Sequence, residues 1–427
     1  MVVGTGAGVT TTERGLWGHP DFLRLWAAQT VSSFGARIAR EGLPMVAILV
    51  LRAGPKAMGL LAAAGLIAYA VAGLGAGLVV DRAPKRRLMI AADLGRALVM
   101  LAVPLAAVSG SLTLAGVFIA LALISALSAM FETADHAFLP SLIDASQLVD
   151  GNAKLGTTDA VAEFGGPALA GVLVQALSAP IAVGATALTY LTSALCLTAV
   201  RTPKALRNAP EVERSGPAPP DFDLLDGVRA VFAHPIIRPI WLMSVARDFF
   251  GWFYGALYAF YALDVLRLSP AQVGLSVAAG GLGGIIGAPL APMLIRRLGA
   301  GPMIVVTGFA AGAIGFLIPL AGGAPLVALT FLVVAQLVGD ALQTAREIGK
   351  TSLRQALIAP TDLGRTGGAF IAAAGLAGVA GALTGGSLGA AIGARETLFV
   401  AATGGAVVPL IGLFSPLWRA RVATSAP

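Results

Sequence analysis

The chain of 427 residues is 57% hydrophobic and carries a further 54 glycines, while only 12% of it is charged, half the roughly 25% usual in soluble domains. So little polar surface cannot coat a water-soluble particle, which excludes soluble folds and leaves a polytopic membrane protein. The net charge of +7 then belongs to membrane topology and anionic headgroups, not to nucleic acid.

Apolar stretches between charged or Gly/Pro breaks predict twelve spanning helices near 22–51, 57–80, 88–108, 112–134, 158–178, 181–200, 237–263, 271–295, 302–321, 325–345, 366–391 and 396–417, each close to the ~20 residues a span requires. The runs are continuous and lack period-2 alternation, which excludes a membrane β-barrel. The first run has no cleavage-site pattern and reads as a retained helix, not a signal peptide. Twenty-one of the 29 Lys and Arg fall on one side of these spans, and only Arg52, Lys56, Arg267 and Arg395 lie between spans on the other. By the positive-inside rule both termini are expected in the cytoplasm of a multi-pass cell (inner) membrane protein.

Residues 201–235 hold Pro203, Pro210, Pro217, Pro219 and Pro220 and then an amphipathic stretch over 222–232, and so read as a linker. They divide a six-helix bundle at 1–200 from a second at 236–427. Shifting the second half back by 215 residues puts Trp241 on Trp26, Gly274-Leu275 on Gly59-Leu60, Arg296-Arg297 on Asp81-Arg82 and Glu347 on Glu132. Two parallel repeats are the organisation of transporters whose site lies between the halves.

The second span ends Gly77-Leu78-Val79-Val80-Asp81-Arg82-Ala83-Pro84-Lys85-Arg86-Arg87. This resembles the major facilitator superfamily signature G-x-x-x-D-R-x-G-R-[KR], with Pro84 where the family has glycine. Phe22-Leu23-Arg24-Leu25-Trp26, Ala92-Asp93-Leu94-Gly95-Arg96, Phe138-Leu139-Pro140-Ser141-Leu142, Gly165-Gly166-Pro167-Ala168-Leu169-Ala170-Gly171 and Ser352-Leu353-Arg354-Gln355 are similar to its drug:proton antiporter branch of enterobactin-exporter and macrolide-efflux type. The resemblance implies an all-α fold of twelve helices in two six-helix bundles, alternating access, and proton-driven export of amphiphilic small molecules. It also implies a gating role for Gly77, Asp81, Arg82, Arg86, Gly166 and Pro167. On physical grounds Gly77 lets neighbouring helices approach, and Pro167 bends the fifth span. Asp93 and Arg96, near Asp81, are expected in the same cytoplasmic charge network, with Glu132 and Glu163 at the ends of the fourth and fifth spans. Asp135 and Asp159 read as solvated helix ends.

Arg37, Arg40, Arg96 and Arg247 are the basic residues that lie in the interior of spans, away from their first turns, where each costs about 2.5–3.5 kcal/mol on insertion scales. Gln29, Ser33, Arg37 and then Arg40 with Glu41 advance by three or four and share one face of the first span. Glu41, partnering Arg37 at i, i+4, is the candidate proton-coupling acid; the same pair also reads as a permanent salt bridge. Arg247 and Asp248 in the seventh span are expected to face the same cavity and to form a cross-bundle latch, Asp248 with Arg37 or Arg40 and Glu41 with Arg247. Three arginines against two acids favour a substrate with an anionic or carbonyl-rich portion. Asp340, deep in the tenth span, is a second candidate proton site. From the aromatic run after Asp248, Trp252, Tyr254 and Tyr258 are expected either to line the cavity or to join a belt facing lipid.

Cys196 is the single cysteine, and His19, His136 and His234 have no second ligand at metal spacing, so no metal and no cofactor is expected. With no phosphate-binding G-x-x-x-x-G-K-[ST] loop and no nucleophile–base cluster, the chain reads as a monomeric secondary carrier rather than an enzyme or primary pump. Its expected partners are an amphiphilic small molecule, protons and membrane lipid. Facilitated diffusion, uptake and lipid flipping are the alternatives within transport.

Overall fold

The computed structural model describes residues 16–201 and 224–421. Arg14 and the linker prolines Pro203 to Pro220 lie outside them. Among the described residues the fold is helical throughout: α1 Pro20–Leu49, α2 Pro55–Arg82, α3 Lys85–Val108, α4 Leu114–Phe138, α5 Leu148–Leu177 and α6 Ala179–Ala199 form the first half. A short amphipathic helix, α7 Leu224–Ala233, leads into α8 Ile237–Phe260, α9 Pro270–Leu298, α10 Ala300–Leu320, α11 Pro325–Leu357, α12 Leu363–Ile392 and α13 Ala394–Leu413. Ten of these helices are long and apolar enough to cross a membrane. The other two long ones are α1 and α8, the helices that carry Arg37, Arg40 and Glu41, and Arg247 and Asp248.

Two elements differ from the sequence expectation. Helix α5 begins at Leu148 rather than near 158, and α11 runs to Leu357 rather than 345. In both extensions polar residues continue the helix through local ion pairs, Lys154 with Asp150 and Lys350 with Glu347, as spacings of three and four allow. The helices start on recognisable signals. His19 Nδ1 accepts from the Phe22 amide (3.1 Å) ahead of Pro20, and Ser269 and Gln272 form a reciprocal capping box on α9.

The 215-residue repeat reaches the backbone. Arg52 and Arg267, 215 apart, are both left-handed (φ 53° and 57°), as are Ser178 and Gly393 (86° and 101°). After α1 the Ala53 amide reaches the Ala47 carbonyl (2.9 Å), and after α8 the Leu268 amide reaches that of Ala262 (3.0 Å), the same helix-ending motif twice. Trp26 donates to Thr158 of α5 (2.9 Å), and its counterpart Trp241 to the Ala369 carbonyl of α12 (3.3 Å).

Across the halves, α2 packs on α12 and α5 on α9. We call the face where α6 ends and α7 lies the linker face, and the opposite one the far face. Near the far face a β-carbon on Gly59 would stand 2.4 Å from the Ala382 carbonyl and 2.7 Å from Gly386 Cα. The repeat-related Gly274 would stand 2.4 Å from the Pro167 carbonyl and 2.9 Å from Gly171 Cα. Only glycine permits such backbone approach. Gly77 lies eighteen residues, five full turns, along the same face of α2 as Gly59, yet a β-carbon there would meet nothing within 4 Å, and the same holds for Gly367 and Gly375 on α12. The helices therefore touch at the far face and part toward the linker face. The contact expected of Gly77 is not made in this state.

Candidate functional site: a two-part cavity between the halves

Where the halves part they enclose a cavity of about 510 Å³ lined by Arg40, Glu41 and Pro44 of α1, Met58, Leu61 and Tyr69 of α2, and Trp252, Tyr254 and Tyr258 of α8. Pro44 denies the Arg40 carbonyl its helical amide and leaves α1 polar at this level. Arg40, Tyr69, Leu121 and Ser125 also line a second chamber of about 530 Å³ inside the first half, formed by α1, α2, α3, α4 and α5. The two spaces are thus contiguous, one mainly apolar and one polar. Of the two places open to them, cavity or lipid-facing belt, the three aromatic side chains lie on the cavity wall, and two have their hydroxyls tied down: Tyr258 donates to Ser276 (2.8 Å) and Tyr254 to the Gly315 carbonyl (3.3 Å).

The ion pairing of α1 differs from the i, i+4 expectation. Arg37 pairs with Glu163 of α5 (2.8 Å) rather than Glu41, and Arg40 pairs with Glu163 (2.7 Å) and Glu41 (3.3 Å). Gly166 explains the choice. A β-carbon on it would stand 2.3 Å from Arg37 Cβ, so the missing side chain lets α5 come close enough for Glu163 to outcompete the in-helix partner. Ser33 donates to Asp159 (2.7 Å), and Tyr69 donates to Glu132 (2.6 Å). Gln29, 8% exposed, lines the polar chamber with Asp135 and Asp159; Asp135 is half-buried, while Asp159 is exposed.

The cross-bundle latch is absent. Arg247 pairs with its neighbour Asp248 and lies 3.7 Å from Glu347 of α11, all within the second half. It lines a separate small pocket with Arg346, Glu347 and Lys350. Asp340 of α11 sits against Gly280 of α9, where a β-carbon would meet Oδ2 at 2.1 Å, and it makes no hydrogen bond or ion pair among the described residues. Its repeat counterpart in the first half is Ser125, which faces Gly65 in the same way.

Asp93 and Arg96 are also placed differently from expectation. They are 0% and 2% exposed, in the interior of the first half and not at a solvated end. Arg96 donates to Asp93 and to Ser32 (3.1 Å) and is stacked between Phe131 (4.3 Å) and Tyr190 (4.6 Å), a sandwich that repays burial through the ring faces. Asp81 and Arg82 end α2. Arg86 turns back to the last carbonyls of α6, Leu197 (2.7 Å) and Thr198. Sequence reasoning missed that cap and the ion-pair hub at Glu163. For Glu163 the signal was present in Gly166 three residues on.

No group of acids, histidines or cysteine suited to a metal occurs among the described residues. The family model for the Major Facilitator Superfamily matches residues 25–345. A multidrug efflux pump, Tap of Mycolicibacterium fortuitum, is 27% identical over 98% of this chain and all of its own length. Among solved structures, a bacterial homologue of the iron transporter ferroportin in an inward-facing state aligns over 93% of this chain and 99% of its own, with TM-score 0.68 and 20% identity. A bacterial homologue of the human lysosomal transporter Spinster, inward-facing and unoccupied, aligns over 94% and 97%, with TM-score 0.70 and 13% identity. The matching family model, the membrane-length helices and the cavity between two repeated halves lead to one conclusion: the chain belongs to the Major Facilitator Superfamily and is a non-enzymatic, multi-pass transport protein of the cell membrane.

Proposed function

We propose that the protein is a secondary active exporter of small amphiphilic compounds, exchanging inward protons for outgoing substrate by alternating access. In this reading twelve helices span the membrane, the linker face is cytoplasmic, and the bundles at 1–200 and 236–427 rock about the joint at 201–235. The observation that carries it is the cavity between the halves, closed by paired glycines at the far face while the same helix faces part at Gly77 and Gly375. With the basic side inward, the arrangement is a carrier open to the cytoplasm and ready to load. The relative that is a multidrug efflux pump supports export over uptake. An apolar cavity with tethered tyrosine rings suits the body of an amphiphile, and Arg40 and Glu41 on its wall suit a polar portion.

The proton is assigned to Glu41 and Asp340. Glu41 faces the cavity and shares Arg40 with Glu163, so its protonation leaves Arg40 to Glu163 alone and changes a charge balance that biases one state over the other. Asp340 has no cation of its own to release and would take up and return a proton beside α9. Everted vesicles with an imposed pH gradient test this reading. Gradient-driven accumulation of substrate is expected in the parent and is expected to be lost in Glu41→Gln or Asp340→Asn with equilibrium binding retained. Flux that ignores the gradient in the parent protein would make it a facilitated carrier or lipid flippase instead, and accumulation in right-side-out vesicles would make it an uptake system.

A further inference from the structure

Where the first half has its polar chamber, the second half has a much smaller space of different character. Ser244, Arg247, Arg346, Glu347 and Lys350 are the 215-residue counterparts of Gln29, Ser32, Phe131, Glu132 and Asp135. The repeat thus sets cations where the first half has a serine, a phenylalanine and an aspartate. In the second half these five residues close, with Ile304 of α10 and Val408 of α13, around a cavity of about 10 Å³ toward the linker face. That is room for one water-sized particle. Three cations meet two acids there. Arg247 takes Asp248 and lies 3.7 Å from Glu347, and Lys350 takes Glu347. Arg346 is left with a neutral partner: it donates to the Gln343 amide oxygen and forms no ion pair among the described residues. The wall beside it is apolar at Ile304 and Val408, and Nη1 stands 3.6 Å from where a β-carbon on Gly308 of α10 would lie. A guanidinium kept in such a place without a counter-charge is costly. Ser244 is a second and separate sign. It is 9% exposed, lines the same cavity, and its hydroxyl makes no hydrogen bond among the described residues. A helical serine can bond back to a carbonyl three or four residues earlier, as Ser276 does to Val273 (2.8 Å); Ser244 does not.

We propose that this pocket is a binding site for one monatomic anion of chloride size, held by Arg346 and Ser244 in the field of Arg247 and Lys350. The groups left without a matching partner are donors, the Arg346 N–H groups and the Ser244 hydroxyl, and an anion accepts from both. Size narrows the class, since a phosphate, a carboxylate or a lipid headgroup exceeds a space for one particle. Charge narrows it again. A water molecule matches the donors but leaves the surplus positive charge in place, and a cation meets three groups of its own sign. The pocket shares no lining residue with the cavity between the halves. Its occupant is therefore a resident ion that ties α8 to α11 within the second half, not cargo, and the proposal does not depend on the direction or substrate of transport.

The test follows thermal unfolding of the full-length protein in lipid nanodiscs as sodium gluconate is replaced by sodium chloride at fixed ionic strength. Gluconate is too large for the pocket. Chloride is expected to raise the melting temperature saturably, by about 1–3 °C, and bromide to do the same. Arg346→Met is expected to abolish the response, yet to melt no lower than the parent in gluconate, because it removes the uncompensated charge with little loss of volume. Structural damage alone would lower melting in both salts. Ser244→Ala is expected to raise the half-saturating chloride concentration about threefold, and decides the matter if Arg346→Met fails to fold. Arg229→Met, at an exposed position on α7, is expected to keep the parent's response. Position is read from the anomalous signal of bromide in crystals of the full chain, expected beside Arg346 and Ser244. Equal melting of the parent in chloride and gluconate, a chloride response that survives both pocket substitutions unchanged, or bromide found only elsewhere overturns the proposal.

Discussion

Glu163 accepts from both Arg37 and Arg40, while at the repeat-related positions Gly378 lies under the ring of Trp252, a β-carbon there standing 2.7 Å from the indole nitrogen. The equivalent contact between the first and fifth helices of a half is an ion pair on one side of the cavity and an aromatic stack on the other. At this pair of positions the polar contact lies in the first half and the aromatic one in the second.

Glu163→Gln leaves two guanidiniums with Glu41 as their only carboxylate. Because the pair is partly solvated, the stability loss is expected to be modest, about 1–2 kcal/mol, read as a small drop in melting temperature. Transport is expected to fall at least tenfold. Gly378→Ala, which pushes on Trp252, should leave any proton dependence intact while weakening substrate binding.

The far-face seam gives a second prediction. Gly386→Val brings a branched side chain against Gly59 Cα and the Pro55 carbonyl, which a β-carbon would already approach to 2.6 and 2.9 Å. Closure of that face is expected to become unfavourable by about 1–3 kcal/mol, so a cysteine probe placed near Pro55 becomes labelled from the far side faster than in the parent.

The parted end of the same seam gives a third. With Cys196→Ala as background, Gly77→Cys and Gly367→Cys lie on helix faces that meet nothing in this state. Their disulfide is expected to form slowly, and faster under conditions that favour the opposite state, and to block transport reversibly. Rapid cross-linking in the unliganded protein at rest would contradict the opening described here.

Arg52 and Arg267 hold a backbone conformation that L-residues adopt at a cost of roughly 1–2 kcal/mol, and both sit where helix ends favour glycine. Each substitution to glycine is expected to stabilise the protein by about 0.5–1 kcal/mol after the entropy cost of glycine, with transport unchanged. The change should show as a higher melting temperature, additive in the double variant because the sites belong to different halves.

Arg96→Met leaves Asp93 buried and unpaired, a change worth about 3–5 kcal/mol. Replacing both, Asp93→Leu with Arg96→Met, is expected to recover more than half of that loss. Thermal unfolding of the two single variants and the double variant measures the coupling.

The helices and their order were legible because continuous apolar runs leave little choice in a membrane, and even α1 and α8, which carry Arg37, Arg40, Glu41, Arg247 and Asp248, are marked by the family-like segment at Phe22 and the aromatic run at Phe249. The ends of α5 and α11 were not legible, since Lys154–Asp150 and Lys350–Glu347 keep the helix going where polarity alone suggests a loop. The repeat was visible at Trp26 and Gly59, and the backbone extends it to Arg52 and Ser178, whose left-handed φ no residue type advertises. Pairing was least legible. Spacing offered Glu41 to Arg37, whereas the close approach at Gly166 delivered Glu163, and the neighbour relation of Arg247 and Asp248 prevailed over a partner across the cavity.

The cap that Arg86 places on α6 has a mechanical corollary. The Arg201 amide, just beyond that helix, donates to Asp21 at the start of α1 (2.9 Å), so the chain leaves the first half from a mooring fixed at two points. Unwinding of the last turn of α6 is thereby opposed from both sides. Cutting the Arg86 mooring would therefore change how far the halves can travel without touching any group that meets the cargo.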